Sequence, residues 1–302
     1  MLTVIVTTFN RWGSCATCLR SLLEQECANL RQIILVDDCS THEPPSEIRG
    51  LLKNPKIVFR RHATNRGLAA ARNTAIRQVK TEFFSFCDDD DWWPPEMAKK
   101  LLLAAQEKGM AIGVPEDQSR WWLNRSDLRD MTLARLFQLG TTPPVGSQIF
   151  NTQLVLDADL YDEAISSGVD HDLWVRLLPL NPSVGISVGA TAHTGKAPGQ
   201  NRMTTSVSQR EKGIRAALQI WKPTLDQELG TSFFEYFERS YDHHIRFVFM
   251  LSALRSANYR EALGQIVSKP KLLIMAAIRI LVELGLRDPT GSNFGVFYEN
   301  RD

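Results

Sequence analysis

Over residues 2–108 short β-branched or aromatic runs alternate with stretches of helical periodicity. This alternation restricts the fold more than any other feature of the 302-residue chain. Residues 2–9 are rich in Val, Ile and Thr, which suit a pleated surface, so they read as a strand. Ser14 is placed to cap a following helix whose buried face carries Leu19, Leu22 and Leu23. Residues 32–36 form a second strand, ended by Asp37 and Asp38. Pro44 and Pro45 open a helix through Leu51 and Leu52, and residues 57–59 are a third strand. Gly67 begins an Ala-rich helix over 68–79, which propensity favours. Residues 82–86 form a fourth strand, ended by four consecutive Asp, and a helix runs from Pro95 to about Lys108 with Gly109 as its stop.

Strand and helix alternating at this spacing specify an α/β fold with a mostly parallel central sheet flanked by helices. Such sheets bind ligands beyond the carboxyl ends of their strands. Asn10, Asp37, Asp38 and Asp88 to Asp91 all stand at such ends, so three strands deliver polar or acidic groups to one rim. Residues 110–206 are less periodic, with Gly, Pro and Thr clusters at 140–144 and 197–205, and are expected to form loops that close over a site. From about 207 the sequence turns helical and aromatic, as at 233–237 and 245–254. The expected organisation is a catalytic domain over 1–206 and a helical C-terminal extension over 207–302.

Composition narrows the function classes. Hydrophobic residues are 43% and charged residues 23%, the balance of a chain that buries a core, which excludes disordered and collagen-like classes. Lys plus Arg is 35 and Asp plus Glu is 34, a net charge of +1 that disfavours nucleic acid as a partner. Five Cys do not make a disulfide framework and point to a reducing, cytoplasmic setting. Cys15 and Cys18 with Cys27 and Cys39 raise zinc as a rival, but the first pair lies on a helix without a second tight pair, and buried small hydrophobes are the better reading. No secretory leader is visible in residues 2–9, and no segment reaches the roughly 20 apolar residues of a membrane span. Residues 271–286 come nearest, but Arg279 and Glu283 interrupt them. They read as an amphipathic helix packed on its own domain, with a membrane-surface helix as the alternative.

Four segments carry chemistry. Asp88-Asp89-Asp90-Asp91 follows an apolar strand and precedes Trp92-Trp93-Pro94, and Asp88 and Asp90 share one side of an extended segment. Mg2+ or Mn2+ takes one or two such carboxylates and completes its shell with phosphate oxygens and water. The plain alternative is an acidic helix N-terminus. At the end of strand two, a carboxylate of Asp37-Asp38 can accept the ring N–H of a uracil-like base or ribose hydroxyls, or form an Asx turn. In 65–73, Gly67 allows close backbone approach at a helix start, and Arg66 or Arg72 can pair with a diphosphate. No G-x-G-x-x-G follows strand one, which counts against a classical dinucleotide site. In Gly168-Val169-Asp170-His171-Asp172, residues 170 and 172 lie about 200° apart on a helix, so one acid can serve as general base while the other caps or braces.

Together V-I-V-T-T-F-N-R at 4–11, V-D-D-C-S-T at 36–41, N-R-G-L-A-A-A-R-N at 65–73, F-C-D-D-D-D-W-W at 86–93 and D-H-D-L-W-V-R-L at 170–177 resemble glycosyltransferase family 2, of the GT-A fold. The resemblance covers roughly residues 1–206. It implies an inverting transferase that uses a nucleotide-diphosphate sugar and Mn2+ or Mg2+. Carried over by position, Thr8, Phe9 and Asp38 hold base and ribose, with Asn10, Arg72, Asp88 and Asp89 completing the donor contacts. Asp88 and Asp90 match the D-x-D acids that hold the metal, Asp91 matches the acid that often follows, and His193 stands where some relatives place a late metal or diphosphate contact. Asp170 matches the catalytic base. Val169 stands where the family usually has Glu, which puts the acceptor class in question.

The Q-x-x-R-W motif of processive synthases is absent, so transfer of one sugar per binding event is expected. UDP is the default donor nucleotide, with GDP and dTDP open, and the acceptor is a glycan, a lipid-linked species or a small molecule. The C-terminal extension is a candidate for dimerisation, acceptor recognition or contact with lipid headgroups. Two rivals stand beside this reading: a sugar nucleotidyltransferase, and a non-catalytic carbohydrate- or partner-binding module on the same scaffold.

Overall fold

In a computed structural model of the protein, the described residues are 1–116, 129, 131–139, 142–195 and 207–231. Its strands are β1 (Leu2–Thr8), β2 (Leu30–Asp37), β3 (Ile57–Arg61), β4 (Phe83–Phe86), β5 (Asp91–Trp92), β6 (Met110–Val114), β7 (Gln148–Asn151), β8 (Val184–Val188) and β9 (His193–Thr194). Its α-helices are α1 (Trp12–Leu23), α2 (Ser46–Leu51), α3 (Leu68–Ile76), α4 (Met97–Lys108), α5 (Leu133–Leu139), α6 (Thr152–Asp157), α7 (Val169–Leu177) and α8 (Val207–Leu229).

Seven strands form one sheet in the order β3-β2-β1-β4-β7-β6-β8, and β5 and β9 form a separate two-stranded ribbon. Every pairing in the large sheet is parallel except those of β7, which runs against β4 and β6. The chain moves outward from β1 to β3 and then returns to lay β4 on the other side of β1. That reversal creates the crevice at which open α/β sheets bind ligands.

The central strands are apolar without alternation because both faces are covered. Val4, Ile5, Val6, Ile33, Ile34, Leu35 and Val36 are fully buried. One face packs Val4, Val6, Ile33 and Leu35 against Cys15, Cys18, Leu19 and Leu22 of α1 and Met97, Ala98 and Leu101 of α4. Trp93 is buried in the same cluster, so the second indole of the Trp92-Trp93 pair anchors the loop after β4 in the core. Helix α4 ends at Gly109, whose φ of +82° suits glycine, and the Gly109 N–H donates to Ala105 O at 2.7 Å.

Several local expectations change. Ser14 does not cap α1: the helix starts at Trp12, and the Ser14 hydroxyl donates back to Arg11 O from inside the first turn. The chain turns immediately after β1, at Asn10 with φ +59°, which starts the helix early. Helix α3 stops at Ile76 rather than 79, and α4 begins at Met97 rather than Pro95. Among the described residues, the middle of the chain is not mainly loop. Residues 110–114, 148–151 and 184–188 are sheet strands too short to show a period, the first and third also interrupted by Gly.

The chain divides into two compact units. One comprises Met1–Leu133 with Thr141–Arg202, the other Ala134–Gly140 with Met203–Asp302. Within the second, Phe137 of α5 and Trp221 of α8 meet edge to face, ring centroids 6.0 Å apart. The segments 197–205, 233–237, 245–254 and 271–286 lie outside the described residues. Among the described residues no helix is long and apolar enough to cross a membrane.

Candidate active site

Strand register brings the polar ends together. Thr8 pairs with Asp37, the Asp38 N–H donates to Thr8 O, and the Cys87 N–H donates to Ile5 O. The residues after β1, β2 and β4 therefore share one rim. Asn10 stitches two of these ends: its N–H donates to Ser40 Oγ at 2.8 Å, and its Oδ1 accepts the Thr41 N–H at 2.7 Å. Phe9 projects beside it, 44% exposed. Asp38 is buried and is bonded on both carboxylate oxygens by the segment 62–67.

The four-Asp loop is held from two sides. The Thr8 hydroxyl donates to Asp89 Oδ2 at 2.7 Å. Arg11 pairs with Asp89 at 3.1 Å and also with Asp90. Burial pushes Asp89 up to about 7, against the pull of Arg11 and Thr8. Burial, with Asp88 and Asp90 beside it, likewise pushes Asp91 up to about 7. Asp88 is also raised, chiefly by the low-dielectric surroundings, with Arg72 opposing and Asp170 and Asp90 adding to it.

The structure joins this loop to the distant Asp170. Arg72 Nη1 donates to Asp170 Oδ1 at 2.6 Å, and Nη2 lies 3.3 Å from Asp88 Oδ1. Arg72 is itself 1% exposed and sits over the Phe86 and Tyr161 rings, whereas the Asp88 and Asp170 side chains are each 41% exposed. Burial works against its charge, but Asp170, Tyr161 and Asp88 together outweigh that and hold the guanidinium protonated. A buried cation thus forms a floor on which two solvent-reaching carboxylates rest.

The adjacent Asn73 fixes the segment leading to α7. Its Nδ2 donates to Tyr161 O and its Oδ1 accepts the Tyr161 N–H. Asp172 faces elsewhere, as its helical angle predicts. It is fully buried, accepts the Asp162 N–H at 2.7 Å and pairs with Arg176. Asp172 braces the helix, and Asp170 makes no capping bond to it. Val169 is buried, so the position of the missing acid contributes packing.

His193 stands on β9, which pairs with β5 at the end of the acidic loop, Asp91 opposite Thr194. His193 lies opposite Trp92 in the β5–β9 ribbon and stacks on its indole, centroids 4.3 Å apart at 16°. No three His, Cys, Asp or Glu side chains converge as a metal-ligand set among the described residues. That suits a divalent ion held by one or two carboxylates and completed by phosphate oxygens, rather than a cage made of protein alone. The charge balance fits as well. The named pairs set Asp88, Asp89, Asp90 and Asp170 against only Arg11 and Arg72, and Asp91 adds a fifth carboxylate beside Asp88 and Asp90.

Sequence reasoning missed the parts played by Arg11 and His62. A basic residue directly after strand one was a usable signal for Arg11. Nothing local marks His62, whose partners are 24 and 12 residues away.

The fold is of the GT-A type, and the likeness to solved structures agrees. The structure of Staphylococcus aureus TarS 1-349 with UDP-GlcNAc superposes with a TM-score of 0.61, covering 90% of this chain and 81% of that one at 19% identity. Residues 3–149 match the sequence model of glycosyl transferase family 2. An uncharacterized glycosyltransferase of Rickettsia bellii is 25% identical over 193 residues, 62% of this chain. A putative colanic acid biosynthesis glycosyl transferase of Escherichia coli, WcaA, is 30% identical over 89 residues, 29% of this chain and 32% of its own. The match spans only 27% of the Rickettsia bellii relative.

Proposed function

We propose that the protein is an inverting, metal-dependent, non-processive glycosyltransferase that moves a sugar from a nucleotide-diphosphate sugar to an acceptor hydroxyl. The observation that carries this reading is the Arg72 bridge, which sets Asp170 beside the D-x-D acid Asp88 across 82 residues of sequence. UDP is the proposed donor nucleotide, and structures of TarS with UDP and with UDP-GlcNAc support it as the default. The acceptor is proposed to be a glycan or a lipid-linked species.

Each chain group has a task. Asp38 and Phe9 are proposed to hold base and ribose, and Thr8 and Arg11 to fix the acidic loop through Asp89. Asp88 and Asp90 would hold Mn2+ or Mg2+, which when bound supplies positive charge to the leaving diphosphate. Asp170 accepts the acceptor's hydroxyl proton as that oxygen attacks the anomeric carbon from the face opposite the leaving group. The anomeric C–O bond to the diphosphate breaks in the same displacement, so configuration inverts. Arg72 aims Asp170, and 41% of the Asp170 side chain surface remains open to an acceptor.

Asp170→Asn tests the base. We expect donor affinity within about threefold of wild type in calorimetry and turnover lower by orders of magnitude; near-normal turnover would refute the assignment. Donor hydrolysis with Mn2+ separates the enzyme from a non-catalytic binding module.

A further inference from the structure

Asp38 is read above as the contact to the nucleotide base, and the inference here rests on that reading. Its carboxylate is nearly saturated by the protein. Oδ1 accepts the Arg66 N–H at 2.9 Å and lies 2.7 Å from His62 Nδ1, and Oδ2 accepts the Gly67 N–H at 2.7 Å. An ionised carboxylate has about four lone-pair positions, so a single one, on Oδ2, is left for a ligand. The Gly67 donor depends on a φ of +86°, which fixes where that N–H points.

His62 is the one side chain among these donors. Its backbone N–H bonds to Asp37 O at 2.9 Å, so it continues the β2–β3 edge. Its Nε2 lies 2.9 Å from Thr74 Oγ on α3. A carboxylate only accepts, so Nδ1 carries the proton; in the neutral ring Nε2 then accepts, and the Thr74 hydroxyl donates to it. The side chains of His62 and Asp38 are 9% and 7% exposed, so these bonds form in a partly dry environment that strengthens them.

We propose that His62, backed by Thr74, is a positioning residue for nucleotide recognition. It locks the Asp38 carboxylate so that its remaining lone pair presents one acceptor to the base. The ligand class this favours is a base with a ring N–H, such as uracil, thymine or guanine. Cytosine and adenine offer a ring acceptor at that edge and would set two acceptors against each other.

The test uses the full chain with Mn2+ and whichever of UDP, GDP and dTDP binds wild type tightest by calorimetry. His62→Phe keeps the ring volume and removes both nitrogens, and it should weaken that nucleotide at least tenfold. His62→Asn restores a donor near Nδ1 and should stay within about threefold. In donor turnover, His62→Phe should raise KM more than tenfold while lowering kcat less than threefold, a split that general destabilisation would not give. If His62→Phe does not fold, Thr74→Val carries the test with a severalfold loss. Wild-type affinity in His62→Phe, or an equal loss in His62→Asn, overturns the proposal. Asp38→Ala separates the layers. Lost affinity there with normal affinity in His62→Phe sinks the role of His62 alone, whereas unchanged affinity in Asp38→Ala sinks the base-site reading as well.

Discussion

Arg72 shows how much a single side chain decides here. A buried guanidinium without partners would be costly, and two carboxylates with two aromatic faces compensate it. The cysteines illustrate the opposite case, groups made inert by their surroundings. Cys18 and Cys87 are buried with sulfurs 3.5 Å apart. Burial raises the thiols of Cys15 and Cys87, and Cys18 is raised first by its contact with Cys87 and then by burial. Thiolate is the reactive form, so these three should resist alkylation. Treating native protein with iodoacetamide at pH 7.5 should label Cys39, which is partly exposed, before any of them. Mass spectrometry finding Cys15, Cys18 or Cys87 labelled as fast as Cys39 would contradict this burial.

At the scale of elements, α3 is the hub. Its N-terminus reaches Asp38 through Gly67, Arg72 reaches Asp88 and Asp170, and Asn73 holds Tyr161. Glu163 adds an outer tie. It accepts from Asn73 and Arg66 and pairs with Arg77, and these contacts, the Asn73 bond first, lower its pKa below the ordinary 4.5. A lowered carboxylate contributes stability above its unfolded pKa and loses it as pH falls through the folded one. Glu163→Gln should therefore melt below wild type at pH 7, with the gap closing below about pH 4. A gap that is the same at both pH values would show the charge to be irrelevant. The Ala-rich run of 68–76 was legible as a helix from propensity. Its contacts to residues up to 98 positions away were not, because local periodicity reports which face is buried and not what is buried against it.

For the whole molecule, the anionic rim predicts a response to ligands. Folded protein that binds Mn2+ and UDP is stabilised by mass action, so the two together should raise Tm by several degrees and chelation should reverse the rise. Asp90→Ala should abolish the Mn2+-dependent part, and an unchanged shift in that variant would remove Asp90 from the metal site. The strand–helix alternation, the parallel sheet and the rim position of Asn10, Asp38 and Asp88 to Asp91 followed from the sequence alone. Burial on both faces writes unbroken apolar runs, and parallel connection places all carboxyl ends on one side. Only the tertiary structure decided that Asp170 meets Asp88 on Arg72, that Arg11 and Thr8 hold Asp89, that His193 stacks on Trp92, and that His62 braces Asp38. Those contacts join side chains from separate elements, and their geometry is fixed by packing that no local pattern encodes.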